Sequence, residues 1–117
     1  VFAIPEALDQ AGIGLEDIGV VEIHEAFAAQ MVACLRLLAD DTFFRERVGR
    51  DRAPGRVDIT RLNAWGGSLA IGHPFGATGA RILSQAVKEL VAMGPGKRAI
   101  VSICADGGLG TVALLQS

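Results

Sequence analysis

The chain has 117 residues, 11 Lys plus Arg against 13 Asp plus Glu, and a hydrophobic share of 50%. That length holds one domain with a real core, and that composition excludes a disordered chain. A net charge of −2 gives no electrostatic case for nucleic acid, and no apolar run reaches the ~20 residues of a membrane span. Two cysteines, Cys34 and Cys104, stand far apart with no CxxC, which speaks against a disulfide scaffold or zinc ribbon and fits a reducing compartment, cytoplasmic in a bacterium or an unspecified organelle in a eukaryote. The chain begins at Val1 and carries no secretory leader pattern, so it reads as a piece of a longer or processed polypeptide.

Ile4, Ala7, Leu8 and Ala11 recur at helical spacing, and Gly12 and Gly14 end that helix. Val20 to Ile23 is a short β-branched run, expected as a strand. A second helix follows, with Phe27, Met31, Cys34, Leu35 and Leu38 on one face. Residues 40–61 are polar and Arg-rich, a loop with a helical turn near 43–48. Arg45, Arg47, Arg50, Arg52, Arg56 and Arg61 are interleaved with Glu46, Asp51 and Asp58, and such mixed signs suit a solvated face, with a phosphate-bearing ligand or a subunit contact as the alternatives. Residues 63–79 are too glycine-dense for one regular element. A third helix carries Ile82, Leu83, Ala86, Val87, Leu90 and Met93, and Gly94-Pro95-Gly96 terminates it. Two apolar runs, 98–104 and 109–115, flank Gly107-Gly108 and read as strand, tight turn and strand. The expected order is α-β-α-loop-α-β-β, an α/β fold whose sheet is covered by helices on at least one face.

Glycine is unevenly used: ten of the fifteen lie between Gly66 and Gly110. Two chemically able residues sit among them. Cys104 ends an apolar run just before Asp106-Gly107-Gly108. A strand end followed by glycines sets a thiol beside bare N–H groups, which suits an oxyanion and an acid/base thiol; a buried structural cysteine is the competing reading. His73 lies in Gly72-His73-Pro74-Phe75-Gly76. Proline stiffens the loop, which suits a general base; a loop histidine bonded to a carbonyl is the alternative. His24 and Glu25 mark a strand-to-helix junction, either a capping pair at the helix dipole or a histidine turned into a pocket. Cys34, on an apolar stripe, is expected to be structural. Gly67 to Gly72 begins like a Walker A loop, but His73 and Pro74 stand where Lys and Ser or Thr belong. The two histidines lie too far apart in the chain for a metal-ligand pair, so no metal is expected.

Three blocks together resemble the thiolases. His24-Glu25-Ala26-Phe27 is similar to their Asn-Glu-Ala-Phe motif. Asn63 through Arg81, with Gly72-His73-Pro74 at its heart, is similar to their Gly-His-Pro block. Cys104-Ala105-Asp106-Gly107-Gly108 is similar to their C-terminal Cys-x-Gly-Gly-Gly block. Order and spacing also agree, and the resemblance covers nearly all of the chain. His24 for Asn, with Trp65-Gly66-Gly67-Ser68, resembles the thiolase subunits of fatty-acid β-oxidation complexes. Asp106 stands where Gly is usual.

The resemblance implies the C-terminal half of a duplicated α-β-α-β-α sandwich, with the nucleophilic cysteine in an N-terminal half outside residues 1–117. It implies CoA-dependent cleavage of 3-ketoacyl-CoA to acetyl-CoA and a shortened acyl-CoA, or the reverse condensation. His73 would activate the nucleophile. Cys104 would be the acid/base. His73 and a water held at His24 would line one oxyanion hole, and the Asp106 N–H would contribute to the other. Gly72, Pro74, Gly107 and Gly108 would shape the loops. It implies no permanently bound cofactor, CoA as a substrate, the N-terminal half as partner, a homo-oligomer and a β-oxidation multienzyme partner. By itself the chain is expected to be inactive. Two other readings are a ketoacyl-synthase-type condensing enzyme and a non-catalytic acyl-CoA-binding or assembly module.

Overall fold

A computed structural model describes residues 1–117. Its helices are α1 (Ala3–Ala11), α2 (Ala28–Leu37), α3 (Asp41–Phe43), α4 (Ser68–Ile71) and α5 (Thr78–Met93). Its strands are β1 (Val20–Ile23), β2 (Arg98–Ala105) and β3 (Leu109–Gln116). The expected order holds, with α3 and α4 as short additions.

The sheet is mixed. β1 pairs parallel with β2, and β2 pairs antiparallel with β3, in the order β1-β2-β3. All four residues of β1 are buried, which is why its sequence does not alternate as a half-solvated strand would. The open edge of β1 is capped by chain rather than water. Val21 N–H donates to Arg61 O and Asn63 N–H donates to Val21 O, each at 2.9 Å. This adds one rung of a fourth strand.

Helices cover both faces. On one, Val21, Ile23 and Ile100 pack with Ile4 and Leu8 of α1, Met31 and Cys34 of α2, and Phe44. On the other, Val20, Ala99 and Val101 meet Ile82, Ala86 and Leu90 of α5. α1 stops at Gly12, whose φ of 66° is the left-handed closing position that side chains disfavour. Asp40 caps α3 through its carboxylate, which accepts from Thr42 N and Phe43 N. α3 then runs into a wider π-helical turn, Phe44–Val48, matching the helical turn expected near 43–48.

Two expectations need correction. Phe27 is not on the buried face of α2; it precedes the helix and is exposed. The apolar stripe of α5 is only half covered. Ile82, Ala86 and Leu90 are buried, whereas Leu83, Val87, Val91 and Met93 face outward. The helix is wide enough in apolar residues for two contacts, and this chain supplies one.

Candidate active site

Three segments bring their polar ends to one place. His24 is the first residue after β1. Its N–H donates to Ser102 O at 2.8 Å, so the parallel ladder holds the histidine beside the end of β2. Cys104 is the penultimate residue of β2 and pairs across the ladder with Gly110. His73 sits between α4 and α5, on a turn whose ends, Gly72 and Gly76, have φ of 92° and 77°. Glycine is needed there, because other residues resist the left-handed region.

The side chains then meet. Cys104 Sγ lies 3.5 Å from His24 Nδ1. The rings of His24 and His73 have centroids 4.3 Å apart at 51°. They open on a cleft of about 770 Å³, rimmed by Phe27, Phe75, Leu109 and the 106–108 turn. Phe75 is 90% exposed and its ring lies 5.0 Å from that of His73. Sequence alone assigns none of these three apolar residues a place at the site: Phe27 and Phe75 stand inside the motifs, and Leu109 just after the third, without a role.

His24 is 4% exposed, and its Nε2 is buried with no partner. Burial, then the neighbouring His73 and Arg81, push its pKa below the ordinary 6.5, so the ring is neutral through physiological pH. The contact to Cys104 Sγ is made by Nδ1, while Nε2 lies buried beneath the cleft. His73 holds its ring differently: Nδ1 lies 2.7 Å from Thr78 Oγ1.

The 106–108 turn gives Asp106 an ordinary backbone. Gly107 and Gly108 take the left-handed conformation, with φ of 79° and 77°. Asp at 106 is therefore compatible with the turn. Its carboxylate accepts the Gly107 N–H at 2.8 Å and occupies that donor.

Glu25 corrects the expected helix cap. α2 starts three residues later, and the Glu25 carboxylate points elsewhere: it accepts from Asn63 Nδ2 at 2.7 Å and from Leu69 N in the first turn of α4 at 3.1 Å. It fills the space over Gly67, where a Cβ would collide with it. Asn63 completes the bridge. Its amide accepts from Ile23 N at 2.8 Å and donates to Ile23 O at 2.9 Å, standing in for one more rung of strand. Asn63 has φ of 46°, the only positive value outside glycine, and asparagine tolerates that region better than most residues. The glycine block is thus pinned to the strand that carries His24.

Behind the site, Glu22 of β1 is buried, and its pKa is raised from 4.5 to about 7 by burial and by Glu89 close by, against the opposing pull of Arg81. Cys34 lies buried in the α1–α2 cluster. No group of three His, Cys, Asp or Glu side chains is placed to hold a metal ion, and no helix is long and apolar enough to cross a membrane.

This arrangement defines an α/β domain with a thiol–imidazole centre at the carboxyl end of its parallel strand pair. Comparison with known proteins narrows the class. The family model described as thiolase, C-terminal domain, matches residues 1–117. The 3-ketoacyl-CoA thiolase of Yersinia pestis (strain Pestoides F) is 50% identical over 115 residues, 98% of this chain and 26% of that protein. The crystal structure of human mitochondrial 3-ketoacyl-CoA thiolase superposes with TM-score 0.73 at 36% identity, over 97% of this chain and 24% of that one. Peroxisomal 3-ketoacyl-CoA thiolase of Saccharomyces cerevisiae gives 0.73 at 34%, over 97% and 27%. That yeast protein is described as five layers, α-β-α-β-α, built from two core domains of identical topology. The chain belongs to the thiolase C-terminal domain family and has the thiolase fold. It spans about a quarter of the length of the relatives it matches. These matches do not favour the condensing-enzyme or binding-module readings.

Proposed function

We propose that this chain is a catalytic half of a thiolase, acting in CoA-dependent cleavage of 3-ketoacyl-CoA. The observation that carries the reading is the convergence of His24, His73 and Cys104, from three separate segments, on one apolar-rimmed cleft. C–C cleavage beside a thioester needs a base, a weak acid at carbon and donors at oxygen, and these three side chains are of those types.

The nucleophile is a cysteine of an N-terminal half. Within residues 1–117, Cys34 is buried away from the cleft and Cys104 is needed elsewhere. His73 Nε2 takes the proton of that nucleophile, and its thiolate attacks the 3-keto carbon. The keto oxygen becomes an oxyanion, which accepts from His73 Nε2–H and from a water held at His24. The C2–C3 bond then breaks. The acyl group remains on the nucleophile as a thioester, and the electron pair leaves as the acetyl-CoA enolate. Cys104 Sγ–H gives its proton to the enolate carbon. The Asp106 N–H serves the enolate oxygen. Cys104 thiolate next takes the proton of an incoming CoA thiol. The CoA sulfur attacks the thioester, and the nucleophile leaves as thiolate and recovers its proton from His73. A covalent intermediate divides one hard step into two.

CoA is a substrate in this reading. A CoA complex of the human mitochondrial relative is known, and a yeast relative is described as dimeric. We extend CoA binding and self-association to this chain, together with a β-oxidation setting. The test is acetyl-CoA release from a 3-ketoacyl-CoA plus CoA, by this chain co-expressed with the N-terminal part of the Yersinia pestis relative. Release that is lost in His73→Ala supports the reading. A folded assembly that binds CoA without turnover would return the chain to the binding-module class.

A further inference from the structure

We propose that Thr78 is the positioning residue that fixes which nitrogen of His73 carries its proton. The inference rests on the function proposed above, where His73 must present a bare Nε2 to the nucleophile and later donate from the same atom.

Thr78 is the first residue of α5 and is 2% exposed. Its hydroxyl makes two contacts, 2.7 Å to His73 Nδ1 and 3.2 Å to Pro74 O. A hydroxyl has a single proton to give. The Pro74 carbonyl is only an acceptor, so the bond to Pro74 exists only when Thr78 is the donor. The Thr78 oxygen then meets His73 as an acceptor, and His73 Nδ1 must carry the hydrogen. Both bonds hold together in that one tautomer, which leaves Nε2 with its lone pair toward the cleft. The backbone holds the geometry. Ala77 N and Thr78 N also donate to Pro74 O, at 3.1 and 3.2 Å, so the proline loop folds tightly over the start of α5. His73 itself is exposed, and the only side-chain bond of its imidazole is the one to Thr78. Loop and helix thus supply through one hydroxyl what a buried carboxylate supplies to histidine in other enzymes: the choice of tautomer and a fixed ring plane.

The chain contains only two histidines, so imidazole ¹H–¹⁵N correlation spectra of residues 1–117 contain two rings, and His24→Asn assigns them. At alkaline pH, where neither ring is charged, His73 should carry its proton on Nδ1. Thr78→Ser should keep that state, and Thr78→Val should move the proton to Nε2, the form that predominates in free histidine. A wild-type His73 protonated on Nε2 overturns the proposal, whether or not any variant folds. So does a folded Thr78→Val chain that keeps Nδ1–H. In the co-expressed enzyme, Thr78→Val should lower kcat about 10- to 100-fold, less than the ~10²–10⁴-fold of losing a whole general base, with KM little changed and Thr78→Ser restoring the rate. An Nδ1–H tautomer in a chain that never supports thiolysis would defeat the proposed function and leave the positioning role standing. Full kcat in Thr78→Val would show that the hydroxyl does not serve the reaction.

Discussion

Cys34 and Cys104 are the same side chain in opposite settings. Cys34 lies on the buried face of α2, in a cluster with Met31, Leu38 and Phe44, and acts there as a small hydrophobe. Cys104 lies at a strand end, 3.5 Å from an imidazole nitrogen and open to a cleft. The same contrast runs through the whole domain. The face under α1 and α2 is closed by residues from every part of the chain. The site end is polar, glycine-shaped and rimmed by exposed aromatic rings. Residue type proposes chemistry, and only the neighbourhood grants it.

The contrast can be broken from the closed side first. Phe44 is 0% exposed, so Phe44→Ala should lower the unfolding free energy by about 3–5 kcal/mol in urea titration. A loss near zero would mean that the α1–α2 face is not the core. Asn63 comes next. Asn63→Ala leaves Ile23 N–H without its partner and removes one of the two donors on the Glu25 carboxylate, at an expected cost of about 1–3 kcal/mol. It should also loosen the glycine block, seen as faster hydrogen exchange at residues 66–72.

Glu22 sharpens the comparison through pH. Folding raises its pKa from 4.5 to about 7, so the folded chain keeps a proton that the unfolded chain releases. Its stabilising contribution is full below pH 4.5 and is lost as pH rises through about 7. Arg81, Glu89 and Glu25 are the charged groups around it. Glu22→Gln stays neutral throughout, so its stability should decline less than that of the wild type over the same range. Equal slopes would show that Glu22 titrates as it would in water. The smallest effect belongs to the rim: Phe75→Ala, at an exposed ring, should change stability by less than about 0.5 kcal/mol.

The contrast also separates what the sequence could say from what it could not. Helices α1 and α5 and all three strands were legible, because their apolar spacing and their glycine stops act within a few residues. The roles suggested for His24, His73 and Cys104 came from three motifs read together. Geometry then placed the His24 ring against both of the others. The partners of these residues were not legible. Glu25 looked like a cap for α2, since a carboxylate before a helix usually is one. It turns instead to Asn63 and Leu69, 38 and 44 positions away. Asn63 looked like the edge of a loop and is a side-chain rung of the sheet. Its left-handed backbone was the signal available, because asparagine opening a glycine run suits that conformation. Phe27 shared the period of α2 but lies before its first turn. The outward stripe of Leu83, Val87 and Val91 has the same pattern as the buried one, since periodicity records hydrophobic faces and not what covers them.

The two cysteines also give the most direct test. In the co-expressed enzyme, thiolysis of a 3-ketoacyl-CoA should be measured for Cys104→Ala and Cys34→Ala side by side. Cys104→Ala should lose about 10²–10⁴-fold in kcat with its fold intact, as expected for removal of an acid/base group. Cys34→Ala should lose stability and keep its turnover wherever it remains folded. A Cys104→Ala enzyme that works at the wild-type rate would contradict the account.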